Sequence, residues 1–196
     1  MARDLSWLTA RPIAHRGLHN RAGGIIENTA SAFAGAMAGH YAIECDLQIT
    51  RDGEAVVFHD ETLDRLTEST GQVKDFTVGQ VKQMTIRGSA DRVQTLDEML
   101  QQVAGKVPLV IEIKSHWDGS EVLALRALEV LESYAGPYCL MSFDPDIIAA
   151  VRRVSPGTPR GIVADRATDN YYNPLPMKRR VELRSLSHLT RTRPDF

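Results

Sequence analysis

One short run, Tyr41-Ala-Ile-Glu-Cys-Asp-Leu47, constrains the fold of this chain more than any other. It has the apolar content of a buried strand, yet it carries two carboxylates one residue apart, Glu44 and Asp46. Side chains alternate across a strand, so both acids point to the same side. Two acids side by side on a core strand repel each other and are costly to bury. A divalent cation held by oxygen ligands offsets that cost most simply. The alternative is an ordinary strand with an acidic edge in water, so the rest of the chain has to decide.

Around this strand the sequence alternates strand and helix. Arg11–Gly17 reads as a first strand ending in His15 and Arg16, with Gly17 permitting a tight turn. Asn28 or Thr29 caps an alanine-rich helix that Gly39 ends. After the turn signal Thr50–Gly53, Glu54–Asp60 is a short strand with His59 at its end. Residues 61–94 are polar and irregular, with one short helix after Thr77. A stretch this long inside a compact domain is often functional. Thr95-Leu-Asp-Glu98 is a capping box opening a helix to Val103. Val107–Lys114 is a buried strand with Glu112 and Lys114 near its end. The next helix, between Ser120 and Ala135, has an apolar stripe at Val122, Leu125, Leu128 and Leu131. A strand over Tyr138–Phe143 follows. Asp144-Pro145 then opens a helix to Val154, and Arg160–Ala164 is one more strand.

Alternating strands and helices imply parallel strands joined by right-handed crossovers. His15, Asp46, His59 and Lys114 fall at the C-terminal ends of four separate strands. A βα-barrel gathers its active site there, and an open doubly wound sheet places ligands there too. The glycine patterns of dinucleotide and P-loop sites do not occur.

The residues so placed are His15, Arg16, Glu44, Asp46, His59, Glu112 and Lys114. Three carboxylates suit a hard cation such as Mg2+ or Ca2+ and leave positions open for water and substrate. Two histidines can divide general acid and general base work. Arg16 and Lys114 offer positive charge to an anion. Together these groups suit hydrolysis of a phosphodiester. Each residue also has a plain structural use: a hydrogen-bonded histidine, a salt bridge between Glu112 and Lys114, a loop held by Arg16.

The order His15-Arg16-Gly17, Glu27-Asn28-Thr29, Glu44-Cys-Asp46, His59-Asp60 and Glu112-Ile-Lys114 resembles the glycerophosphodiester phosphodiesterases, from about Pro12 to Phe143 and more weakly to Ala164. The resemblance implies an α/β fold of TIM type, a (βα) barrel, and metal-dependent hydrolysis of glycerophosphodiesters such as glycerophosphocholine to glycerol 3-phosphate and an alcohol. It implies His15 and His59 as the catalytic pair. Glu44, Asp46 and Glu112 become metal ligands for Mg2+ or Ca2+, and Arg16 and Lys114 substrate contacts. Residues 61–94 become an insertion over the pocket. Two other readings stay open: a phosphate-binding barrel remnant without activity, and a phospholipase-D-like enzyme acting on lysophospholipids.

Length limits this expectation. A complete barrel takes eight strands and about 250 residues; this chain has 196 and reads as one domain with about six of eight βα units. Residues 166–196 read as an irregular basic segment, with a helix over Met177–Leu189 and with Arg193–Phe196 resembling the approach to another strand. The expectation is a fragment, a truncated product, or a barrel completed by a second copy through its open edges. Net charge of -2 disfavours a nucleic-acid partner, and the resemblance implies a small-molecule glycerophosphodiester substrate. Cys45 and Cys139, each inside an apolar run, are expected as buried free thiols. No stretch has the apolar length of a signal peptide or a membrane span, which gives a cytoplasmic expectation.

Overall fold

The computed structural model describes residues 4–168 and 170–196; residues 1–3 of the lead-in lie outside the described residues. A short helix α1 (Ser6–Thr9) precedes β1 (Ile13–Ala14), helix α2 (Ala30–Ala38) and strand β2 (Ala42–Ile49). Strand β3 (Ala55–Val57) and helix α3 (Val78–Val81) follow, then α4 (Leu96–Val103) and β4 (Leu109–Ile113). The remainder is α5 (Val122–Leu131), β5 (Tyr138–Ser142), α6 (Pro145–Val154), β6 (Arg160–Ile162), α7 (Met177–Ser185) and α8 (Leu189–Thr192).

The six strands form one sheet. Five of them, in the order β1-β2-β4-β5-β6, run parallel. The sixth, β3, pairs antiparallel with β2. Gly53, at φ +81°, turns the chain back after β2, so β3 runs back along it and Phe58 N–H donates to the Asp46 carbonyl at 3.0 Å. His59 thus reaches the acidic strand by a hairpin. On the outer edge of β6, Asp195 N–H donates to Arg160 O and Ile162 N–H to Phe196 O, at 2.7 and 3.2 Å. The expected approach to a further strand therefore pairs with the sheet.

The period-2 pattern of β2 and β4 separates two faces. Ile43, Cys45, Leu47, Leu109, Ile111 and Ile113 are fully buried in the main core, where they meet Phe33 and Ala36 of α2 and Met99 and Val103 of α4. Glu44, Asp46, Gln48 and Glu112 line the other face and are buried as well. Residues 61–94 are less irregular than their composition implies. Leu63, Leu66, Val73, Val81, Ile86 and Val93 build a second core with Ile26, Val56 and Phe58.

Local signals set the helix ends. Thr95 and Glu98 make both halves of the capping box on α4, and the Asp144 side chain caps α6 with Pro145 in its first turn. Two expectations are corrected. On α5 the buried stripe is Leu123, Ala124, Ala127 and Leu131, while Val122 and Leu125 face solvent. The small alanines let the helix lie close against the sheet, so the packed face is set by fit and not by the largest side chains. The segment after Asp165, read as irregular around a helix over Met177–Leu189, carries that helix as α7 and a second helix, α8, so it is more regular than expected. Arg191 of α8 pairs with Asp146 of α6 at 2.6 Å and with Glu182 of α7 at 2.8 Å, and Tyr172, Leu175 and Leu183 pack beside Trp117 and Phe143. Both cysteines are buried and free, and burial pushes the Cys139 thiol up to about 12. Among the described residues no helix is long and apolar enough to cross a membrane.

Candidate active site

Strand register assembles the acidic cluster. Asp46 lies directly across from Glu112 in the β2–β4 pairing, and Glu44 is two residues back on the same face. One carboxylate oxygen from each of the three lies within 4.8 Å of the others. Lys114, just past β4, bridges two of them, with Nζ 2.8 Å from Asp46 Oδ1 and 2.6 Å from Glu112 Oε1. That single cation does not neutralise three acids. Burial, then the neighbouring Asp46 charge, pushes the Glu44 carboxyl up to about 8 against the Arg16 amide that hydrogen-bonds it. Burial also raises Glu112, opposed by Lys114.

The β1 end supplies the next groups. Ala14 pairs with Ile43, so His15 and Arg16 emerge beside Glu44. Arg16 sits at φ +58° and its backbone N–H donates to Glu44 Oε2 at 2.8 Å. Gly17 completes the turn at φ +79°, where a Cβ would stand 2.8 Å from Ala32 Cβ. The Arg16 side chain places Nη1 2.8 Å from Glu27 Oε1 and Nε 3.6 Å from Asp46 Oδ2. His15 is largely exposed, with Nε2 3.9 Å from Glu44 Oε2. Partial burial, then Arg16, holds its pKa below the ordinary imidazole value.

Asn28 does more than its place in the sequence implies. Thr29 is the cap of α2, its hydroxyl accepting from Ala32 N–H. Asn28, at φ +56°, turns inward instead. Its Nδ2 donates to Asp46 Oδ2 at 2.8 Å, and its Oδ1 accepts from Asp46 N–H at 3.3 Å. Asparagine adopts that conformation more readily than most residues and has both a donor and an acceptor to offer.

His59 enters from β3. Its Nδ1 lies 2.7 Å from Asp60 Oδ1, and its backbone carbonyl accepts from Gln48 Nε2 at 3.1 Å. Burial would raise Asp60, but hydrogen bonds from His59 and Arg65 outweigh it and hold the acid well below the usual carboxylate range. An ionised Asp60 only accepts, so Nδ1 carries the proton and Nε2 is the free nitrogen. His59, Glu112 and Lys114 line a cavity of about 390 Å³ together with Phe143, Tyr171 and Tyr172.

All seven residues singled out from the sequence thus meet at one end of the parallel sheet. The sequence profile of the glycerophosphoryl diester phosphodiesterase family matches residues 15–187. The chain belongs to that family. It is 35% identical over 162 residues to a glycerophosphodiester phosphodiesterase of Caldanaerobacter subterraneus subsp. tengcongensis, a match that takes in 77% of this chain and 65% of the relative. The chain thus spans a little under two thirds of that protein's length. Among solved structures, a glycerophosphodiester phosphodiesterase from Thermotoga maritima superposes with a TM-score of 0.65 at 26% identity, over 93% of this chain and 70% of that one. A phosphodiesterase from Oleispira antarctica, solved with the product sn-glycerol-3-phosphate, shares the fold at a TM-score of 0.72 and 23% identity, over 86% and 72% of the two chains. The sheet described above belongs to a TIM-type (βα) barrel, of which β1, β2, β4, β5 and β6 are the parallel strands.

The acidic cluster passes a test of fit for a divalent metal. Glu44 Oε1 is buried and lacks a hydrogen-bond partner among the described residues. A buried carboxylate oxygen left without a donor is expensive, and a cation shared with Asp46 and Glu112 resolves the expense. Three carboxylates and no thiolate or imidazole in the set suit magnesium or calcium better than zinc.

Proposed function

We propose that this chain hydrolyses glycerophosphodiesters, such as glycerophosphocholine, to glycerol 3-phosphate and an alcohol in a metal-dependent reaction. The observation that carries the reading is the buried Glu44–Asp46–Glu112 cluster with an orphaned carboxylate oxygen, flanked by two cationic side chains and two histidines. Family membership supplies the reaction class.

Glu44, Asp46 and Glu112 would hold Mg2+ or Ca2+, which when bound polarises a phosphoryl oxygen and balances the charge that builds on it. Arg16 grips the phosphodiester anion, its guanidinium already steadied by Glu27. Lys114 adds a second positive charge at the cavity wall. His59, held through Nδ1 by Asp60, presents Nε2 for proton transfer, and His15 stands at the end of β1 with Nε2 3.9 Å from Glu44 Oε2. One of the pair assists attack on phosphorus and the other protonates the leaving oxygen.

Alanine at His15 or His59 should lower turnover roughly 10²–10⁴-fold, the usual range for a general acid or base. Metal binding by calorimetry should stay at the parental level in both variants and be lost in Glu44→Ala. Turnover retained in both histidine variants would overturn the acid–base assignment. Metal binding unchanged in Glu44→Ala would remove Glu44 from the ligand set. A chain that binds metal and glycerol 3-phosphate but never turns over would be a binding-only barrel.

A further inference from the structure

The segment between β3 and α4 has its own core, and one residue on it reaches into the site without having been visible in the sequence. Arg65 lies between Leu63 and Leu66, both buried in that second core. The loop around it is tied down on each side. Thr67 N–H and the Thr67 hydroxyl both donate to Leu63 O at 3.0 Å, and Arg87 N–H donates to Leu66 O at 2.7 Å. From this fixed base the guanidinium grips two carboxylates at once. Nε and Nη2 donate to the two oxygens of Asp60 at 2.6 and 2.9 Å, and Nη2 and Nη1 donate to the two oxygens of Glu27 at 2.7 and 3.0 Å.

Each gripped carboxylate passes its constraint to a group of the site. Asp60 Oδ1 accepts a hydrogen bond from His59 Nδ1 at 2.7 Å. Glu27 Oε1 accepts a hydrogen bond from Arg16 Nη1 at 2.8 Å. We propose that Arg65 is a positioning residue: by clamping Asp60 and Glu27 together it fixes the tautomer and orientation of the His59 ring and the direction of the Arg16 guanidinium. The proposal rests on the reading of His59 and Arg16 given above and goes beyond it, because Arg65 itself touches neither.

The chemistry requires arginine. Two carboxylates brought together without a cation repel, so each would swing away and take its partner with it. A lysine ammonium is a point donor and cannot present a planar fork to both acids. Burial works against Glu27, yet the hydrogen bonds from Arg65 and Arg16 lower its pKa to about 2, which matches a carboxylate held ionised in the clamp. Arg65 remains partly exposed, at 39% of its side chain, and exposed ion pairs add little to folding. Its replacement is therefore expected to fold.

The test compares Arg65→Ala, Arg65→Gln and Arg65→Lys with the parent by nitrogen-15 NMR of the His59 ring and by turnover of glycerophosphocholine with Mg2+ present. The expected parental spectrum shows the proton on Nδ1 in the neutral ring. All three variants are expected to mix the two tautomers and to lose turnover by roughly 10–100-fold, the scale at which outer-shell partners act. Free guanidinium is expected to recover turnover in Arg65→Ala. Parental tautomer and rate in Arg65→Ala, or in Arg65→Gln if the alanine variant does not fold, would overturn the clamp. So would a parental Arg65→Lys, since charge without the fork would then suffice. His59→Ala is the control. If it still turns over, the acid–base reading fails whatever Arg65 does. If it is inactive while the Arg65 variants match the parent, the clamp alone fails. The tautomer measurement needs no turnover, so it decides the clamp for an inactive chain as well.

Discussion

Glu44→Gln should stabilise the metal-free protein, and the gain should depend on pH with a sign fixed by the site. The Glu44 carboxyl, almost wholly buried, is pushed from 4.5 to about 8 by burial and then by Asp46. In the unfolded chain it titrates in the ordinary range. Between the two values the folded protein holds one proton more than the unfolded chain, so stability falls as pH rises, by about 1.4 kcal/mol per pH unit. The stability tied to this proton is fully present below the unfolded value and lost once pH passes the folded one. Integrated, the ionisation of Glu44 costs the metal-free fold about 1 kcal/mol near pH 5 and about 4 kcal/mol near pH 8. Glutamine removes that dependence. Burying its amide adds an offset that does not vary with pH, and Glu112 titrates in both proteins. The assay is denaturant unfolding of both in the presence of chelator, from about pH 5 to about pH 8. The stability difference between variant and parent should widen by about 3 kcal/mol across the range. Adding Mg2+ or Ca2+ should then stabilise the parent and leave the variant unchanged. Parallel pH curves for the two proteins would refute the reasoning, because Glu44 would then ionise in the fold as it does in the open chain.

Asn28→Ala removes both hydrogen bonds to the buried Asp46 and leaves an alanine at φ +56°, so denaturant unfolding should show a loss of about 2–4 kcal/mol. Asn28→Gly relieves the backbone strain alone and should recover only a minor part of it. Gly17→Ala places a Cβ 2.8 Å from Ala32 Cβ at φ +79°, and a loss of about 2–4 kcal/mol is expected by the same measurement; a neutral change would show that the His15–Gly17 turn can relax.

Features fixed by neighbouring residues were legible in the sequence. Thr95 with Glu98, and Asp144 with Pro145, mark the starts of α4 and α6 because a cap is a contact between residues two or three apart. The acidic face of β2 was legible because alternation on a strand needs no tertiary information. That Glu112 stands opposite Asp46 needed the register, which the motif order implied and the pairing of β2 with β4 supplies. Where packing decides, the sequence misled. The α5 stripe is offset because Ala124 and Ala127 fit against the sheet while Val122 and Leu125 do not need to. Asn28 and Thr29 both read as caps from their neighbours; Thr29 takes that place, and the Asn28 side chain is recruited by Asp46 across 18 positions of sequence. Arg65 left no trace at all. It lies in a polar stretch without periodicity, and the role proposed for it rests on two carboxylates distant from one another in the chain, Glu27 and Asp60.

The central claim is that these residues make a metal-dependent phosphodiesterase. Its most direct test is release of glycerol 3-phosphate from glycerophosphocholine, measured with chelator and after adding back Mg2+ or Ca2+. Release that stops with chelator and returns with metal is the predicted result. Release that continues unchanged in chelator, or its absence from a folded protein that binds the metal, would contradict the account.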